Sequence, residues 1–112
     1  MDGFYSAYFT GVIGNSMALF AFRDGSITGV DVGGMQYDGS YAVDQERATI
    51  VGTMVYVIQP GHQLITGAAA GTQPVRIEFP LELPIGFADG RVLALPTPSG
   101  VVNARFQKVR DW

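Results

Sequence analysis

Between Met17 and Gly52 short β-rich runs alternate with reversal signals, and this alternation leaves little room for any fold but a meander. Asp24-Gly25 lies between Met17–Arg23 and Ser26–Val32. A two-residue type I′ turn needs positive φ at both central residues, which Asp tolerates and Gly accepts freely. The pair therefore predicts a tight hairpin joining two antiparallel strands. Gly33-Gly34 and Asp44-Gln45-Glu46-Arg47 are the next two reversals, with the strand Met35–Val43 between them. Gly39 inside that strand is expected to mark a bulge or bend.

The remaining segments extend the pattern. Phe4–Thr10 reads as the first strand and Ala48–Ile58 as the longest, ended by Gln59-Pro60-Gly61. His62–Thr66 is expected to be a short strand and Gly67–Pro74 a loop. Val75–Leu83 alternates Val75, Ile77, Phe79 and Leu81 against Arg76, Glu78, Pro80 and Glu82, so it is half exposed, and Pro80 places it at an edge or bulge. Pro84–Arg91 is a turn with room for one helical turn. Val92–Leu95 and a closing strand, with Val102, Ala104 and Phe106 inward, complete the chain. The expected fold is all-β, a single domain over residues 1–112: an antiparallel up-and-down β-barrel of about eight strands with little or no helix, since closure removes unpaired edges.

Composition excludes several functions. The absence of cysteine rules out disulfides and thiolate metal sites and suits a cytoplasmic protein. Net charge is −3 and Lys108 is the sole lysine, so no broad basic face is available and no direct nucleic-acid binding is expected. Asp24, Asp31, Asp38, Asp44 and Glu46 form an acidic stretch without a base; it reads as a solvated edge or as a docking surface for a basic partner. Gly3–Phe22 is uncharged but interrupted by Gly11, Gly14 and Asn15, and Ala48–Val75 by Gln59-Pro60-Gly61; neither reads as a membrane span. Met1–Ser6 has no basic region of a secretory signal, and the strands lack the aromatic girdles of an outer-membrane barrel.

Catalytic chemistry finds no foothold. His62 is the single histidine, no Gly-x-Ser-x-Gly elbow surrounds a serine, and no metal-ligand spacing is present. Glu78 and Glu82 share a strand face roughly 13 Å apart at about 3.3 Å per residue, too far to act as a carboxylate pair. No enzyme activity, metal or cofactor is expected. Binding is the better prospect. The first, second and fifth strands are apolar on both faces, whereas a half-buried antiparallel strand should have one polar face. A homodimer joined through these strands is the simplest cover. Tyr5, Phe9, Phe20 and Tyr56 are available to line an apolar pocket for a lipid-like or other apolar small molecule. An eight-stranded interior is just wide enough for side chains or one small ligand, and these large aromatics favour a filled one.

Asp2-Gly-Phe-Tyr-Ser, the hairpin Phe22-Arg-Asp-Gly-Ser-Ile-Thr-Gly-Val-Asp31 and the strand Tyr37-Asp-Gly-Ser-Tyr-Ala-Val-Asp44 together resemble the GrlR-like family, small negative regulators of type III secretion genes and their bacterial relatives. The likeness is good over residues 2–52 and loose beyond. It implies a lipocalin-like barrel, a dimer, and an apolar interior that could admit a lipid-like molecule. Its best-known members grip a helix-turn-helix activator through an acidic Glu-Asp-Glu-Asp turn. This chain has Val43-Asp44-Gln45-Glu46 there, two acids of four, so the resemblance points to Asp44, Gln45 and Glu46 as partner-binding positions. The implied role is a non-enzymatic regulatory or adaptor protein acting on a protein partner.

Overall fold

The structure, a computed structural model, describes residues 1–112 and contains eight strands and no helix. They are β1 (Gly3–Thr10), β2 (Asn15–Arg23), β3 (Ser26–Asp31), β4 (Gln36–Asp44), β5 (Thr49–Ile58), β6 (Val75–Pro84), β7 (Leu93–Thr97) and β8 (Gly100–Asp111). All neighbours are antiparallel, in the order β6-β5-β4-β3-β2-β1-β8-β7. The sheet curls into a nearly closed barrel whose seam lies between β6 and β7. Both seam strands carry devices against edge-to-edge pairing: Pro80, Arg76 and Glu78 on β6, and Pro96 in the five-residue β7.

Local chemistry explains the turns. Asp24 and Gly25 have φ of 50° and 81°, the two positive values a type I′ hairpin requires, and Arg23 pairs with Ser26 across them. Gly39 makes no bulge, because β4 keeps its register with both neighbours through that position. Its missing side chain makes room for the Met54 sulfur of the facing strand. The irregularity lies elsewhere: Tyr5 faces Lys108 and Phe4 faces Arg110, so Val109 is an extra residue in β8. His62–Thr66 is not a strand either. Residues 59–74 form a loop with only isolated bridges (Pro60 to Ala70, Gln63 to Ala69), as glycine at 61, 67 and 71 would suggest. No helix is long and apolar enough to cross a membrane.

The barrel has two different ends. One is plugged by the β6–β7 connection, where Phe87 is 1% exposed and its ring lies 5.2 Å from Tyr5, 5.7 Å from Phe22 and 5.4 Å from Phe106. The β1–β2, β3–β4 and β7–β8 turns gather at the other end, beneath the long β5–β6 loop. That loop is tied to the β1–β2 turn by Ile13 N–H donating to the Ile65 carbonyl at 2.8 Å. Gly11 allows this approach, since a Cβ there would sit 2.6 Å from the Ile65 oxygen.

Candidate functional site

The inward residues do not fill the barrel. A cavity of about 370 Å³ runs through its centre toward the loop end, inside the range of roughly 300–1,000 Å³ typical of small-molecule sites. Its walls are Phe9, Phe20, Met54, Phe79, Leu95 and Phe106, and Leu64 and Ile65 of the β5–β6 loop close over it. The expectation of a filled interior fails because glycines recess the large side chains. A Cβ on Gly29 would collide with the Phe20 ring, and one on Gly39 with Met54. Both side chains therefore pack over a glycine of the neighbouring strand.

Polar groups gather at the loop end. The Asp31 carboxylate accepts hydrogen bonds from the backbone N–H of Gly33 (2.9 Å) and Met35 (3.0 Å), and from the Tyr37 hydroxyl at 3.2 Å. Tyr56 and Ser99 share a hydrogen bond of 3.1 Å that joins β5 to the β7–β8 turn, on the far side of β6 and the seam. Burial, and then the adjacent Asp31 charge, push the Tyr37 phenol far above its ordinary value. The phenols of Tyr5 and Tyr41 are also raised, in each case mainly by burial.

These shifts give a pH prediction. Above the ordinary phenol value of 10.0 an unfolded tyrosine loses its proton while the folded Tyr37 keeps it. The folded state then binds more protons than the unfolded one, so stability is fully present below that pH and falls as pH rises past it. The denaturation midpoint should drop between pH 9 and about 11, and drop less in Tyr37→Phe. An identical alkaline slope in that variant would remove Tyr37 from the account.

Three of the four aromatics singled out from the sequence, Phe9, Phe20 and Tyr56, line the cavity. Tyr5 does not reach it. Its ring packs at the plugged end, 4.8 Å from Phe22, and its hydroxyl donates to the Met1 carbonyl at 2.6 Å. Asp44, Gln45 and Glu46 also lie at the plugged end, away from the cavity. Asp44 accepts the Arg47 backbone N–H at 3.2 Å, and Arg47 reaches Glu82 at 3.5 Å, so the turn is partly satisfied by its own neighbours. Glu46 forms no ion pair. Sequence reasoning read Asp31 only as part of an acidic edge and gave Tyr37 no site role, so it missed that both face the cavity. The available signal was an aspartate before Gly-Gly, positioned to cap the turn with its side chain.

The outer surface carries a second feature. Tyr8 (55% exposed), Met17 (40%), Leu19 (48%) and Val30 (48%) form an apolar patch over β1–β3, with Tyr8 paired to Met17 and Leu19 to Val30. β5 differs from the sequence expectation. Its outward Val51, Val55 and Val57 are only partly exposed because the neighbouring strand β6 places Glu82, Glu78 and Arg76 beside them, and long charged side chains shield apolar neighbours with their stems.

Comparison of this chain with protein-family models, with curated proteins and with solved structures gave no match.

Proposed function

We propose that this chain is a non-enzymatic binding protein whose barrel holds one small apolar molecule. The observation that carries the reading is the cavity of about 370 Å³, walled by apolar and aromatic side chains with a few polar groups at one end, the usual make-up of a ligand site. Leu81 lines this space from the seam strand β6, where one side of the barrel is free to adjust. Leu81→Trp should fill part of the volume and weaken binding of the neutral fluorescent dye N-phenyl-1-naphthylamine by about tenfold or more, about 1.4 kcal/mol. Circular dichroism should remain unchanged. Undiminished dye binding in a folded Leu81→Trp would place the dye outside the barrel.

A second reading is a dimeric regulator that grips a protein partner. It is supported by the resemblance to GrlR-like proteins and, independently, by the exposed apolar patch on β1–β3. Sedimentation at micromolar concentration should then give a dimer, and Leu19→Lys at the patch centre a monomer. A monomeric wild-type protein would remove this reading and leave the first intact.

A further inference from the structure

The cavity is walled by apolar groups, yet its charge is one-sided. Of the residues that line it, Asp31 and Glu82 are the only ones with charged side chains, and none is Lys, Arg or His. Glu82 lies at the seam with its charge offset by Arg47 at 3.5 Å. Asp31 has no cation as partner; its three hydrogen bonds come from two backbone N–H groups and the Tyr37 hydroxyl. One carboxylate oxygen accepts both N–H groups, and the other accepts only the Tyr37 hydroxyl, which leaves that oxygen with a free lone pair. The polar end of the cavity therefore carries a negative charge with no cation beside it, among neutral groups (Asn15, Ser16, Gln63, Thr66 and Thr97) that can each donate or accept.

Building on the cavity reading, we propose that the site selects an amphiphile whose head group donates hydrogen bonds and carries no negative charge, an amine or an alcohol, and discriminates against carboxylates and phosphates. A donor head can reach the free lone pair of Asp31, and a cationic one also gains from its charge. An anionic head would meet a like charge with no basic side chain to offset it, a loss that burial enlarges.

The test is displacement of N-phenyl-1-naphthylamine at pH 7 by decylamine, decanol and decanoate, which share a tail and differ in head. Decylamine and decanol should displace the dye, with decylamine binding about tenfold or more tighter than decanoate. Asp31→Asn keeps an acceptor for the turn N–H groups and removes the charge; it should shrink the amine–carboxylate gap. Decanoate binding as tightly as the amine overturns the head-group inference but leaves the cavity reading standing. Failure of the dye and all three compounds to bind overturns both. The ranking on the wild-type protein decides the matter even if Asp31→Asn folds poorly.

Discussion

Phe87→Ala should destabilise the fold by about 3–5 kcal/mol, the usual range for deleting a buried aromatic ring. Phe87 comes from a connection between strands, not from the sheet, yet it is among the most deeply buried side chains in the molecule. Three other rings close on it within 5.7 Å, from β1, β2 and β8, so the space left by truncation is walled by side chains already packed against their own strands. Little collapse is available, which places the cost toward the upper end. Domains of this kind are stable by only about 5–15 kcal/mol, so the variant should unfold at much lower urea. Chemical denaturation monitored by circular dichroism measures this directly, and a loss below about 1 kcal/mol would show that the plug is dispensable.

Gly52→Ala should cost about 3 kcal/mol or more, beyond the ordinary range for overpacking. Gly52 faces Tyr41 across the β4–β5 ladder. A Cβ there would overlap the Ser40 carbonyl oxygen and lie 2.8 Å from the Tyr41 Cα. Both are backbone atoms, so no rotamer change relieves the clash; the two strands must separate. Gly71→Ala is the matched control, because nothing lies within 4 Å of its added methyl and its φ is not positive. The control should stay within about 0.5 kcal/mol of the parent. Equal denaturation midpoints for the two variants would contradict the close approach at Gly52.

Strand order and turns could be read from the sequence because their signals are local. Asp24-Gly25 dictates its own hairpin, and the alternation around Val102, Ala104 and Phe106 gives the inward face of β8 without reference to the rest of the fold. That the interior stays partly empty was not legible, because it depends on which residues meet across strands. Phe20 looks like a filler until Gly29 is seen opposite it, and Met54 until Gly39 is seen. Tyr5 misled for a similar reason. It shares a strand face with Phe9, but the connection carrying Phe87 occupies its end of the barrel. The β5–β6 loop, with little periodicity, gave no hint that Leu64 and Ile65 cover the opening.

Four methionines make the central claim directly measurable. Met54 and Met35 line the cavity, Met17 is exposed on the outer patch, and Met1 lies outside the cavity lining. The first measurement is therefore NMR of protein labelled with carbon-13 at the methionine methyl groups, titrated with decanol. Binding in the barrel predicts that the Met54 and Met35 signals shift together and saturate at one equivalent while Met17 and Met1 stay still. A shift confined to Met17, or none at Met54, would contradict the account and place any binding on the outer face.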